Sequence, residues 1–259
     1  MKYYRGTRVS FAVKGIQMRG QIIENSDGEI RIKGINGKLY STDQRGRHTH
    51  FDRGTLQEES FGVRIFDTIL DEKYNDTTSR QAADFWREFC FASEWDFAYE
   101  RVHSIADIDY FFGSRVIPEP IIIFCGHGLD KTDQKSGFEK GWILSNGETL
   151  DGGINNQNGI RILPANKNKI IIFSACLIGK NTKMATNLKK LFNAEALFAY
   201  RTEIQDRICF LVEPFLLTLI SEDARISAIP HHYETTKKSL APLKNINQSH
   251  EKTFPLIHY

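Results

Sequence analysis

A chain of 259 residues, 41% hydrophobic and 25% charged, has room for one large globular domain or for a large and a small one, and is too apolar for a disordered protein. Its opening Met1-Lys-Tyr-Tyr-Arg-Gly lacks the apolar segment of a signal peptide and no apolar run approaches membrane-spanning length, so a cytoplasmic protein without membrane contact is expected. Cys90, Cys125, Cys176 and Cys209 are scattered without paired spacing, which argues against a disulfide framework and for reduced thiols. The net charge of +2 is unevenly divided: Met1 to Arg53 holds eleven Lys and Arg against five Asp and Glu, or +6, and the remainder carries −4. Such asymmetry suggests two units with different partners.

Residues 1–54 read as a small β unit. Thr7 to Val13, Gln17 to Ile23, Glu29 to Lys33 and Lys38 to Thr42 alternate apolar and polar side chains, with turn signals at Lys14-Gly15, Asn25 to Gly28 and Asn36-Gly37. Short strands joined by tight turns resemble, in pattern only, an SH3-like β-barrel. Its basic residues suit phosphate contacts, so nucleic acid is one partner class; docking an activating or recruiting protein is at least as good a reading. The plainest reading is a solvated face, since Arg31 and Lys33 alternate with Ile30 and Ile32 as in any half-buried strand. The polar stretch Gln44 to Ser60 reads as a linker, and His48 and His50 within it lack the acidic or cysteine companions of a metal site.

From Phe61 to Tyr259 strands and helices alternate. Phe61 to Phe66 reads as a strand. A helix opening at Thr78 carries Ala82, Phe85, Trp86, Phe89 and Cys90 on one face. A strand over Asp96 to Val102 and a short helix over Ala106 to Phe112 follow, then Ile121-Ile-Ile-Phe-Cys-Gly-His127-Gly128. Gly141 to Leu150 reads as a hairpin turning at Asn146-Gly147. The run Ile170-Ile-Ile-Phe-Ser-Ala-Cys176-Leu-Ile-Gly179 repeats the first pattern, and a helix capped by Asn181 or Thr182 comes next. Glu195 to Tyr200 is a further strand, Asp206 to Leu219 a long apolar helix, Glu234 to Leu240 a solvated helix and Phe254 to Tyr259 a docked tail. Continuous apolar runs mark strands buried on both faces, so a mainly parallel sheet covered by helices is expected.

Two such runs end in reactive side chains next to glycine, at the sheet edge where α/β proteins bind ligands. A Cys176 thiolate is a nucleophile, and His127, forty-nine residues upstream, can carry the proton it gives up. The helix after Cys176 would lower its pKa if its positive end faced the thiol. The amides of Gly128 and Cys176 are candidates for an oxyanion hole. Taken singly, each residue has a quieter reading, packing for the cysteine and a loop contact for the histidine. Cys125, His127 and Cys176 also supply three soft ligands, but without the tight spacing of a zinc site. Ser174 is a weaker nucleophile candidate because it lies inside the apolar run. No metal or other cofactor is implied.

The segments Gly126-His127-Gly128 and Phe173-Ser-Ala-Cys176-Leu-Ile-Gly179 resemble the caspase-like (clan CD) cysteine peptidases, most closely the CHAT family. The Gly-His-Gly is also similar to that of separases. The resemblance extends through Trp142 to Leu150 and Ala194 to Asp206, covers about 118–220 by motif and 61–117 by element order, and leaves the N-terminal unit outside. It implies a caspase-hemoglobinase-like three-layer sandwich over residues 61–259, with Cys176 as nucleophile, His127 as general acid/base, the Gly128 and Cys176 amides as oxyanion hole, and no obligatory third catalytic member. It implies a protein substrate, with bacterial defence or signalling as the setting. Arg201-Thr-Glu stands where many relatives have a tryptophan. Glu203 and Asp206 follow the strand that would line the substrate pocket, which suggests a basic or long side chain before the scissile bond; the commoner role for such an Asp is a helix N-cap. The alternative is a catalytically silent binding or regulatory module on the same fold.

Overall fold

In a computed structural model of the chain, the described residues are 8–26, 28–34, 37–44, 46–58, 61–70, 78–135, 137–153, 159–223, 226–242 and 254–259. The chain divides into two compact units, Met1–Ser60 with Asp223–Ile226, and Phe61–Glu222 with Ser227–Tyr259. No helix among the described residues is long and apolar enough to cross a membrane.

In the first unit, β1 (Arg8–Val13), β2 (Ile16–Ser26), β3 (Glu29–Gly34), β4 (Leu39–Ser41), β5 (Thr49–His50) and β6 (Gln57–Glu58) form one sheet in the order β5-β4-β3-β2-β1-β6. Lys14 and Gly15 take positive φ of 50° and 78°, the backbone that a two-residue hairpin turn between twisted strands requires. Asn36 of the expected Asn36-Gly37 turn lies outside the described residues; Gly37 has φ +77°. Two expectations are corrected. The stretch read as a linker supplies both edge strands, because Phe51 and Leu56 give it apolar side chains that bury with Val9, Phe11, Ile22, Ile30, Ile32 and Tyr40. Among the described residues the sheet is open, since the two-residue strands β5 and β6 lie at opposite edges and do not pair, so no closed barrel forms.

The second unit is a mixed α/β structure. Its elements are β7 (Gly62–Asp67), α1 (Thr78–Ala92), β8 (Asp96–Arg101), α2 (Ile105–Ser114), β9 (Ile121–Cys125), β10 (Gly128–Leu129), β11 (Gly141–Ile143), β12 (Thr149–Leu150), β13 (Ile170–Ser174), α3 (Thr182–Leu191), β14 (Ala196–Tyr200), α4 (Asp206–Glu222), α5 (Ile229–Ser239) and β15 (Leu256–His258). The main sheet runs β15-β14-β13-β9-β7-β8, parallel throughout except at β15. One face packs against Trp86 and Cys90 of α1 and Val212, Leu216 and Ile220 of α4; the other packs against Ile108 and Phe112 of α2 and Met184 and Leu188 of α3. Burial on both faces is what the unbroken runs 121–124 and 170–173 demand.

Polar side chains hold the ends of these elements. Ser104 and Asp107 close a capping box at the start of α2, and Asn181 Oδ1 accepts the Met184 N–H at 3.1 Å to cap α3. Before β9, buried Asn166 accepts the Ile117 N–H at 2.8 Å and donates to Phe112 and Arg115 carbonyls, while buried Lys169 donates to the Ile117 carbonyl at 2.7 Å. The tail expected only to dock adds the antiparallel edge strand β15, because its backbone finds partners on β14. Helix α5 starts earlier than the polar run suggests and buries Ile229, His232 and Thr236.

Candidate active site

Strands β9 and β13 pair in parallel with Cys125 opposite Ser174, so His127 and Cys176 each stand two residues beyond matched positions on neighbouring strands. The two ends touch at Gly128, where a Cβ would fall 2.4 Å from the Cys176 carbonyl oxygen and 2.8 Å from Ile178 Cδ1. Only glycine permits that approach.

His127, half-buried, is placed through its backbone. Gly126 before it has φ +137°. The Cys125 carbonyl accepts the Thr68 N–H and the Trp142 Nε1–H, both at 3.2 Å, and the His127 carbonyl accepts the Ile143 N–H at 3.0 Å. The Thr68 hydroxyl donates to the Ile143 carbonyl at 2.9 Å, which ties the small sheet β10-β11-β12 to the end of β7. The predicted hairpin over 141–150 therefore fixes the segment that carries His127.

Cys176 is half-buried, whereas Cys90, Cys125 and Cys209 are buried. Its Sγ accepts the Ile204 N–H at 3.3 Å and its thiol donates to the Ile204 carbonyl at 3.7 Å. Leu177 sits in left-handed backbone at φ 64°, a strained conformation for a non-glycine residue, and donates its N–H to the Thr202 carbonyl at 3.3 Å. Gly179 packs against β14, where a Cβ would come within 2.5 Å of the Ala199 carbonyl oxygen, and the Tyr259 hydroxyl donates to the Gly179 carbonyl. The loop carrying the thiol is thus pinned by β14, by the segment after it and by the C-terminal strand.

The electrostatics run against one expectation. Burial pushes the Cys176 thiol above the usual cysteine range; the Ile204 backbone pulls it down, and the carboxylates of Glu203 and Asp206 raise it further. A lowering by α3 does not prevail, because that helix starts at Thr182 and spends its first turn on the Asn181 cap while burial and two acidic groups act on the sulfur. Glu203 is exposed, and Asp206, half-buried, opens α4.

Two further acids do not stand out in the sequence. In the ladder β7-β9-β13-β14, Asp67 stands opposite Cys125, Cys125 opposite Ser174, and Ser174 is one step beyond the Phe173–Ala199 pair, next to Tyr200. This polar row crosses four parallel strands beneath the two reactive residues. Asp67 is 0% exposed and accepts the Tyr99 hydroxyl proton. Above the row lies Glu213 of α4, also 0% exposed, with neither carboxylate oxygen in a hydrogen bond of good geometry. Ser174, Tyr200 and Cys209 face it and favour its charge, but burial wins and lifts its pKa to about 7. A lone acid inside the apolar stretch Ile208 to Ile220 was the available signal.

The remaining candidates separate. Cys125 is 2% exposed and burial pushes its thiol well up; among the described residues no group of three His, Cys, Asp or Glu side chains could hold a metal ion. Cys90 is buried, its thiol raised to about 12 by burial, as a packing residue should be. Ser174 is half-buried at the end of β13. In the first unit Arg31 is paired with Glu24 and Glu29, each at 2.8 Å, so that part of the basic face is internally compensated. No protein-family model and no curated protein matches this chain.

Proposed function

We propose that the chain is a caspase-like cysteine endopeptidase, similar to the CHAT family, acting on a protein substrate in the cytoplasm, with bacterial defence or signalling as its setting. The observation that carries this reading is the register of β9 and β13, which brings the His127-Gly128 and Cys176 segments together at the carboxyl edge of a parallel sheet. A caspase-hemoglobinase-like sandwich accounts for that sheet order with helices on both faces. In the reaction the Cys176 thiolate attacks the scissile carbonyl, forming a C–S bond, and the amides of Gly128 and Cys176 hold the oxyanion. His127, protonated by the thiol, gives its proton to the leaving amine as the C–N bond breaks. Water then attacks the thioester carbonyl, His127 takes its proton, and the thiolate departs. Cleavage of an unbiased peptide library by the purified chain, lost in Cys176→Ala, tests this directly.

One observation favours a second reading, a binding module without turnover. The thiol is raised rather than lowered, and its sulfur accepts a hydrogen bond from the Ile204 backbone. The two readings part on alkylation: a nucleophile at Cys176 labels much faster near neutral pH than Cys90 or Cys209, whereas a silent module shows no such preference. The N-terminal sheet is proposed as the surface for a recruiting or activating protein, with nucleic acid as the alternative.

A further inference from the structure

Five of the strands that end a sheet, β5, β6, β10, β12 and β15, are two or three residues long and leave little edge for another chain to pair with. The sixth, β8, is different. It runs six residues, Asp96-Phe-Ala-Tyr-Glu-Arg101, in unbroken register with β7, and has no proline, lysine or bulge to discourage pairing. The Asp96 and Val102 N–H groups both turn inward, to the Phe61 and Asp67 carbonyls at 2.9 Å. Backbone groups along a strand alternate sides, so those of Phe97, Tyr99 and Arg101 face away from the sheet, where no described strand lies. Side chains of the same three residues, with Ala83, Asp84 and Arg87 of α1, line a groove of about 370 Å³. Phe97 and Tyr99 are half-buried and give it apolar walls, but its charge is unevenly met. Arg87 is shared by Asp84 at 3.1 Å and Glu88 at 3.2 Å, whereas Arg101 donates to the Tyr99 hydroxyl at 3.3 Å and is in no ion pair among the described residues. The Tyr99 hydroxyl gives its own proton to buried Asp67, so it offers Arg101 a lone pair and no charge.

We propose that the outer edge of β8 binds an extended acidic segment of a partner protein, which adds an antiparallel seventh strand to the main sheet. In that pairing each outward residue exchanges two hydrogen bonds with the residue opposite it, whose side chain enters the groove. An acidic residue opposite Arg101, a β-branched residue opposite Tyr99 and an aromatic residue opposite Phe97 answer the groove's charge and its rings. Along the partner chain the pattern is therefore acidic, any residue, β-branched, any residue, aromatic. A second copy of this chain fits less well, because β8 paired with itself would bring another Arg101 to a groove that already holds an unmatched one. The docking edge uses neither His127 nor Cys176 and does not rest on the peptidase reading.

Fluorescence anisotropy of fluorescein-labelled Thr-Glu-Thr-Val-Thr-Phe-Thr, titrated with the full chain, tests this. Saturable binding is expected, at least tenfold tighter than that of the same peptide with Lys for Glu. Arg101 is exposed, so Arg101→Glu should fold and should reverse that preference. N-methylation of the peptide's Val, whose N–H would face β8, should abolish binding, and N-methylation of the Thr after it should leave binding intact. Absence of saturable binding, equal binding of the Glu and Lys peptides, or indifference to which residue is methylated overturns the proposal. So does a dimer of the chain alone in sedimentation velocity that is lost in Arg101→Glu, which would assign the edge to a second copy. Binding that persists in Cys176→Ala, with no cleavage of any peptide by the unaltered chain, would sink the peptidase and leave the docking edge standing.

Discussion

Two adjacent rows of the same four strands have opposite characters. Phe66, Phe124 and Phe173 stand side by side on β7, β9 and β13, with Phe124 stacked on the other two at ring-centroid distances of 5.5 and 4.8 Å, and Ala199 follows on β14. One residue further along, on the opposite face, the row reads Asp67, Cys125, Ser174 and Tyr200, with Glu213 above it. Strand alternation sends successive side chains to opposite faces, so a single step along the chain passes from a packed aromatic layer to a buried polar one. The first row holds the sheet together. The second is costly to bury.

Breaking the aromatic row should have the largest effect on folding. Phe124→Ala is expected to lose ~3–5 kcal/mol in urea unfolding, because it removes a fully buried ring shared by both stacks. The polar row should answer in the other direction. Glu213 has a folded pKa of about 7 against an ordinary 4.5, so the folded state holds a proton that the unfolded state has released across that window. Stability should therefore be fully present below about pH 4.5 and fall by about 3 kcal/mol as pH rises through 7. Glu213→Gln should flatten that slope and raise the melting temperature at pH 8. Facing groups, Asp206 and Cys209 on α4 and Ser174 and Tyr200 on the sheet, are retained in the variant, and the raised Glu195 carboxyl and lowered His258 imidazole also make stability depend on pH, so it is the difference in slope between the two proteins that belongs to Glu213.

A third change sharpens the contrast between packing and chemistry. Gly128→Ala drives a methyl group into the Cys176 carbonyl, and under the peptidase proposal it should cut peptide cleavage by ~10²-fold, the scale of losing one oxyanion donor. Retention of full activity would remove the contact from the proposed mechanism. The smallest effect should come from Asn181→Ala, which deletes the α3 cap and costs ~1 kcal/mol in unfolding, with Cys176 alkylation little changed.

Much of the second unit was legible because its signals are contiguous. The runs ending at Cys125 and Ser174 declare buried parallel strands, and the turn at Asn146-Gly147 declares a hairpin. His127 and Cys176 stood out for the same reason, as reactive residues beside glycine or at the end of an apolar run. What escaped was built from separated pieces: the edge strands β5, β6 and β15, which are only two or three residues long, and Glu213, hidden in a helix whose apolar character dominated its reading. The expected lowering of the Cys176 pKa failed because a helix after a cysteine says nothing about burial or about acids from another segment.

By itself the sequence determined that a helix-covered parallel sheet would form and that a thiol and an imidazole would lie at strand ends, since local apolar periodicity and strand termini are properties of neighbouring residues. Only the tertiary structure decided the register that aligns β9 with β13, the close approach of Gly128 to Cys176, and the burial of Glu213 over the polar row. Each of those depends on which segments meet in space, and desolvation, the largest influence on both Cys176 and Glu213, exists only once they have met.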